Sequence, residues 1–471
     1  MSKCISQGQY SSKQHTFARS KKETMKNYTF QSLLKKYTSA SFWLIIATIL
    51  ALVFANSPLK EWYFNLWEHP ISISFGQFNL LSHHGESLSF ISFINDFLMA
   101  IFFLAVGLEI KREILVGELS SLKKAILPII GACGGMIVPI IVFLIFCPNE
   151  ANMLRGIAIP MATDIAFSLG VLSIFGKRVP IGLKIFLAAL AVADDLGGII
   201  VIALFYSTEL NLFYLILSIA CVIAMIIANR FRIRSKVLYL AIGTVLWFSM
   251  LNSGIHATIS GVIAAFCIPA GLSRGTSYYI ERIRKNINEF PIIEVTDKKN
   301  IVVLDNNQIQ TLKSIESASD HLISPLQELE DDLREFINYI IIPLFAFANA
   351  GVDISNMQLN DLFSGVGFAV MMGLVVGKFL GVLTFSWLAI KTKIANMPDG
   401  VNWKAFASVC MLCGIGFTVS MFIADLSYSA LGMDGKELLD KAKLGILSGT
   451  LLSALLGSIL LKYNLPPAKK K

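Results

Sequence analysis

Charge is what this sequence has least of. Only 15% of its 471 residues are Asp, Glu, Lys or Arg, while 55% are hydrophobic. That balance excludes an ordinary soluble multidomain protein and places the chain among polytopic membrane proteins. Metal-ligand spacing is also absent. Six of the seven cysteines, Cys133, Cys147, Cys221, Cys267, Cys410 and Cys413, lie scattered in or beside apolar runs and read as small core residues. The pair Cys410 and Cys413 has a redox spacing, but on an apolar helix packing is the favoured reading. No cleavable signal peptide is expected either, because the first apolar block comes late and has no small-residue cleavage site. The net charge of +8 invites a nucleic-acid partner. The basic residues instead sit in short clusters between apolar segments, where membrane topology needs them, so no nucleic acid is expected.

Twelve apolar spans can be read, at roughly 40–55, 89–110, 126–147, 153–175, 181–206, 209–229, 236–251, 254–270, 333–352, 362–390, 405–426 and 441–462. Basic clusters at Lys111, Arg112, Lys123 and Lys124, at Lys177 and Arg178, at Arg230, Arg232 and Arg234, at Lys391 and Lys393, and at Lys469 to Lys471 fall on one side. The positive-inside rule then puts both termini in the cytoplasm, with the loop from Asp434 to Lys443 ambiguous because it mixes both signs. The expected organisation is a basic, disordered tail at 1–39, spans 1 to 8 over 40–270, a cytoplasmic insert at 271–332, spans 9 to 12 over 333–462 and a basic tail at 463–471. Strand-like Ile301 to Leu304 and the charged amphipathic stretch Leu326 to Arg334 fall in or at the end of that insert, which could regulate or merely connect. Between the first two spans, Ile71 to Leu80 alternates with period two, which suggests a small extracytoplasmic β-hairpin. Such a hairpin could pair across a homodimer or simply lie on the surface.

Against this apolar background the intramembrane charges stand out. Asp194 and Asp195 lie together in the middle of the fifth span, Asp164 in the fourth and Lys378 in the tenth. One ionised Asp at the centre of a spanning helix costs about 2.5 to 3.5 kcal/mol, and such residues usually serve an ion or proton pathway. Successive helical residues point about 100° apart, so adjacent carboxylates have two separate roles. Three acids and one base leave a negative excess suited to a cation or to protons. A structural partnership between Lys378 and one Asp is the plain alternative.

Pro160 precedes Thr163 and Asp164, and Cys413-Gly414-Ile415-Gly416 is poor in helix formers. Both predict interrupted spans, tolerated at membrane depth only where protein or water surrounds the freed backbone. The pairing of spans 3 to 5 with 10 to 12 suggests inverted repeats. The fold class expected is therefore an all-α polytopic membrane protein of about 12 transmembrane helices, with two interrupted helices crossing at the midplane.

At these residues the sequence resembles the NhaA-type sodium/proton antiporter family. The likeness covers roughly 40–270 and 335–462. It rests on several motifs in order: VGLEIKRE from Val106, ATDIAF from Ala162, ADDLG from Ala193, PLFAFANAG from Pro343 and LCGIGFT from Leu412. Broken helices in inverted repeats mark the midplane site of secondary transporters, that family among them. The resemblance implies that Asp195 is the principal cation ligand and that Asp194 is a proton-linked partner able to pair with Lys378. It implies that Asp164 and Thr163 support the site where the broken spans cross. It also implies pH-sensing residues at a cytoplasmic funnel: Glu109, Arg112, Glu330 and, within Ser253 to Thr258, His256. Read alone, a histidine at a helix start is more often a hydrogen-bonded structural residue. Two departures bear on the pH threshold. The linker before the ninth span is longer than the family usually has, and Asp331 and Arg334 stand where members can carry histidines.

The activity expected is exchange of sodium or lithium for protons across a bacterial cytoplasmic (inner) membrane. It would be electrogenic, pH-regulated and without a cofactor, serving sodium and pH homeostasis and salt tolerance. A buried carboxylate can be neutralised by a proton or by an alkali cation, so the two would compete for one site. Two rivals are weighed. An intramembrane aspartyl protease needs its acids on facing helices, whereas Asp194 and Asp195 are adjacent. A sodium-coupled symporter of an organic solute would call for a further polar substrate cluster, and none stands out.

Overall fold

The computed structural model of this protein describes residues 41–75, 78–79, 81–83, 86–205, 210–271, 275–290, 304–353 and 365–465. Helix dominates throughout. Among the described residues, six helices are long and apolar enough to cross a membrane: Phe90–Leu115, Lys123–Phe146, Ile181–Ala203, Leu212–Arg230, Gly365–Lys391 and Asp434–Asn464. Three bent pairs bring that number to as many as nine. They are Ser41–Ala55 with Lys60–Glu68, bent by 112°, Ala151–Met161 with Ile165–Ile174, bent by 45°, and Trp403–Leu412 with Phe417–Leu431, bent by 42°. The last two breaks fall where Pro160 and the Gly414–Gly416 stretch weaken the helix.

Internal contacts divide the chain into two units. One gathers the residues up to His69, Glu118–Ile202 and Asn338 onward, and the other Pro70–Gly117 with Ala203–Ile337.

In the first unit, Gly373, Gly377 and Gly381 recur every fourth residue and form one stripe along their helix. Removal of the side chain there is a condition of packing. A Cβ on Gly377 would lie 2.7 Å from Pro139 Cα, and one on Gly381 would meet the Gly134 carbonyl. Small residues at this spacing let backbones approach closely, which replaces the hydrophobic drive that lipid cannot supply. The same stretch, Gly373–Gly377, widens into a π turn immediately before Lys378, a local adjustment common at functional sites. Leu183, Leu187 and Leu190 from the helix Ile181–Phe205 pack in one buried cluster with Phe406, Val409 and Leu412 from the second broken pair. The short helix Lys60–Glu68 folds back on the chain near Phe347. Tyr63 Oη donates to the Phe347 carbonyl, Asn56 Nδ2 to that of Val352 at 2.8 Å, and Lys60 pairs with Asp353.

In the second unit, the helices Met99–Leu115 and Ile259–Cys267 pack closely, with Gly107 set against Ala265 and Gly261 against the Ala100 carbonyl. Lys111 Nζ donates to the Phe266 carbonyl at 2.7 Å, and Asn229 Nδ2 to that of Cys267 at 2.7 Å. These two side chains satisfy carbonyls that the end of the helix Ile259–Cys267 leaves open.

One element differs from what the sequence suggests. The stretch Asp434 to Lys443, read as a loop, belongs to one helix, Gly432–Asn464. Its mixed charges are helix-compatible, and Lys441 pairs with Glu437 at 2.7 Å one turn away. The amphipathic stretch before the ninth span is the helix Pro325–Phe336, which continues through a π turn, Ile337–Ile341, into Ile342–Asn349. Of the hairpin region, Ser74 pairs with Asn79 and Phe75 with Phe78 in antiparallel register, as strands of two residues each. Beside it, Glu86–Ser89 pairs with both Pro70–Ile71 and Ser82–His83. The strand-like piece at 301–304 lies outside the described residues except for Leu304.

Candidate ion site

Each broken helix leaves open backbone groups: carbonyls at the end of its first half and N–H groups at the start of its second. In the first pair, a 3-10 segment, Arg155–Met161, ends at Met161, extended backbone follows through Asp164, and Ile165–Ile174 resumes the helix. In the second pair, Trp403–Leu412 ends before Cys413, and Phe417–Tyr428 resumes after Gly416.

Asp164 joins the two breaks. Its Oδ1 accepts from Phe167 N at 2.9 Å, which caps its own helix. Its Oδ2 accepts from Thr418 N at 3.2 Å and Thr418 Oγ1 at 2.7 Å on the other half-helix. Gly416, the residue in the capping position there, has no side chain to do this. One carboxylate thus stabilises two positive helix ends. The Asp164 N–H completes the junction by donating to the Ile415 carbonyl at 2.7 Å, and Ser420 Oγ donates to the Ile159 carbonyl at 2.8 Å.

The opposite helix ends meet positive charge and a hydroxyl. Lys378 Nζ donates to the Met161 carbonyl and to Asp194 Oδ2, the latter at 2.6 Å. Both side chains of that ion pair are fully shielded from solvent. Thr163 Oγ1 lies 2.7 Å from Asp194 Oδ2 and 2.9 Å from the Cys413 carbonyl. It carries a single proton, so only one of these acceptors receives it fully at a time. Asp194 Oδ1 is buried and accepts no hydrogen bond from the described residues. Asp195, next on the helix, is 5% exposed. Gly135 makes room for Val382 on the Lys378 helix, because a Cβ there would lie 2.9 Å from Val382 Cγ2.

Asp164, Thr163, Asp194 and Lys378, picked out by their charge or by the break beside them, are therefore brought into one connected group, with Asp195 adjoining on the helix. The carbonyls of Met161, Cys413 and Ile415 are partners that side-chain reading missed. Their only signal is position, since the last carbonyls before a break must find donors outside the helix.

Glu109, Arg112 and Glu330 also converge, within the second unit. Arg112 lies 3.2 Å from Glu330 Oε2 through Nε, as an ion pair without hydrogen-bond geometry, and 4.0 Å from Glu109 through Nη2. Glu113 stands 3.3 Å from the same guanidinium, and Arg334 Nη2 donates to Glu330 Oε1 at 2.7 Å. Glu330 is buried, and that burial pushes its carboxyl above the usual range, against the pull of Arg112 and Arg334. His256 is not part of this group. Its Nδ1 shares a 2.8 Å hydrogen bond with Thr258 Oγ1, and Nε2 stands 4.0 Å from Asp96. Asp96 and Glu109 are thirteen residues apart along one helical run, about 20 Å, so His256 sits towards the other end from the glutamates.

Residues 31–461 match the family described as Na+/H+ antiporter 1. The chain is 51% identical over 448 residues to the Na(+)/H(+) antiporter NhaA of Bacteroides thetaiotaomicron, covering 95% of this chain and 99% of that one. It is 48% identical over 440 residues to the protein of the same name from Phocaeicola vulgatus, covering 93% and 97%. With that of Glaesserella parasuis it shares 41% over 437 residues, covering 93% and 96%.

Proposed function

The chain belongs to the Na+/H+ antiporter 1 family and exchanges sodium for protons across a membrane, and from that premise we propose that Asp194 and Asp195 are the shared site of the two ions. The observation that carries this reading is the buried pair of Lys378 with Asp194, set against the two helix breaks. Asp195 is the cation ligand. Asp194 holds Lys378 while the site is empty of sodium, and a proton or cation arriving beside it competes with the ammonium for the same negative charge. Thr163, which can turn its hydroxyl between Asp194 and the Cys413 carbonyl, keeps an oxygen beside the site in either state. Asp164 holds the junction together without taking part in the exchange.

The two interrupted segments are the elements that move in alternating access, as inverted repeats rocking about a midplane site. Lithium is carried as a close chemical relative of sodium. More than one proton moves per cation, so transport carries net charge and draws on the membrane potential. Glu109, Arg112 and Glu330 sense pH, since protonation of Glu330 cancels its pairing with Arg112 and Arg334. The twelve-span reading is supported by the nine candidate spans together with three shorter apolar helices, Lys236–Leu251, Ile259–Cys267 and Ile342–Asn349 with its preceding turn. Both termini lie in the cytoplasm, the membrane is the bacterial inner membrane, and the short strands around 70–89 face outward, where they can join a second copy.

Everted membrane vesicles test the assignment of the cation ligand. Addition of sodium or lithium to vesicles with an inside-acid gradient dissipates it in wild type and leaves it standing in Asp195→Asn. Dissipation at the wild-type rate by that variant overturns the assignment.

A further inference from the structure

Among the described residues, the insert ahead of the ninth span is held by Arg234 and Lys236 at a place that adjoins Glu330. Its two described helices, Thr276–Glu289 and Asn306–Asp320, are joined by Arg282 and Asn286 donating to Ser314 Oγ at 3.1 and 2.9 Å. The second ends at His321, where open carbonyls are expected. Arg234 meets them there. Its guanidinium donates to the carbonyls of His321 at 3.1 Å, Asp320 at 3.4 Å and Ile323 at 2.7 Å. Two residues on, Lys236 Nζ donates to Glu328 Oε1 at 2.8 Å and Asp332 Oδ2 at 2.7 Å. Those two acids are one turn apart on the helix Pro325–Phe336.

That helix has three sides in use. Leu326 and Leu329 are buried in the core of the second unit, Glu328 and Asp332 hold Lys236, and Glu330 and Arg334 make up the cluster with Arg112. The charged groups facing Glu330 are Arg112, Arg334, Glu109 and Asp331, and Glu113 shares the Arg112 guanidinium. Those facing Lys236 are Glu328 and Asp332. Rotation of the helix by a fraction of a turn changes both sets at once, because they are carried on one rigid element.

We infer that Lys236, with Arg234, is a positioning residue that fixes the Glu330 helix against Arg112 and so couples the insert to the pH response of transport. The inference rests on the proposed role of Glu330 in sensing pH. Release of the helix weakens the contact of Glu330 with Arg112, which makes the Glu330 carboxylate harder to form, so the response moves to higher pH.

The test is the pH profile of sodium-driven proton flux in proteoliposomes for wild type, Lys236→Gln, Lys236→Arg, Glu330→Gln and the double variant Lys236→Gln/Glu330→Gln. Lys236 is partly exposed, with about a third of its side chain open to solvent, so its replacement spares the fold. Lys236→Gln is expected to move the midpoint up by about half a pH unit with little change in maximal rate. At 1.36 kcal/mol per unit this is about 0.7 kcal/mol, within the range of an exposed ion pair. Lys236→Arg restores the wild-type midpoint, and in the Glu330→Gln background the lysine substitution has no further effect. A midpoint unmoved in Lys236→Gln but moved in Glu330→Gln overturns the coupling and leaves the sensing role standing. An unmoved midpoint in Glu330→Gln overturns the sensing role, and this inference with it. A lysine shift that persists in the double variant overturns action through Glu330.

Discussion

Lys378 Nζ lies 2.6 Å from Asp194 Oδ2, with neither side chain open to solvent. A charge pair so placed is a poor way to gain stability, because desolvation of both ions offsets most of their attraction. Breaking it is costly all the same, since the remaining charge stays buried and uncompensated.

Lys378→Ala is expected to destabilise the protein by about 3 to 5 kcal/mol, the usual cost of removing one partner from a buried pair. The double variant Lys378→Ala/Asp194→Asn recovers most of that loss. Thermal unfolding in detergent reads both, and equal destabilisation of the single and double variants counts against the pairing.

Asp164→Ala removes caps from two half-helices at once. Each cap is worth about 0.5 to 2 kcal/mol, so a loss of about 1 to 4 kcal/mol is expected, together with loss of transport. Asp164→Asn keeps one acceptor oxygen and retains part of both. Thermal unfolding and vesicle flux, measured on the same preparations, separate these effects from a change in cation affinity alone.

Gly377→Val places a branched side chain where even a Cβ would stand 2.7 Å from Pro139 Cα. Overpacking of this kind costs about 1 to 3 kcal/mol. Reduced thermal stability with displacement of the Lys378 helix is expected. Gly198→Ala, on the Asp194 helix, meets nothing within 4 Å and serves as the silent comparison.

Glu330→Gln tests the buried carboxyl of the cluster with Arg112 and Arg334. Burial raises the folded-state pKa of Glu330 above its unfolded value, so the native protein holds the proton more tightly. The associated stability is complete below the unfolded value and is lost as pH rises through the raised one. Wild-type stability is therefore expected to fall over that window, and the Gln variant, which cannot titrate, to fall less. Unfolding temperature as a function of pH is the measurement.

Side chains that violated their surroundings were legible before any coordinates. Asp194, Asp195 and Lys378 are charges in apolar runs, and Pro160 and Gly414 disrupt helices, so their positions point to the breaks and to a buried charge cluster beside them. What stayed hidden is carried by the backbone or by partners distant in sequence. The carbonyls of Met161 and Cys413 look like any others until a break frees them. The union of Asp164 with Thr418 spans 254 positions. The distance of His256 from Glu109, Arg112 and Glu330 is likewise not legible in its motif, which does not say which end of a helix a neighbour occupies. The helix over Asp434 to Lys443 was obscured because charge was read as a sign of a loop, although pairs one turn apart hold such a helix together.

Sodium- and lithium-driven proton flux in proteoliposomes, measured from mildly acidic to mildly alkaline pH for wild type, Asp194→Asn and Asp195→Asn, tests the shared site most directly. Asp195→Asn is expected to abolish cation-dependent flux at every pH. Asp194→Asn, which removes the charge that Lys378 pairs with, is expected to alter the proton dependence while cation binding persists in part. Wild-type flux in Asp195→Asn, with unchanged dependence on sodium and pH, would contradict the account.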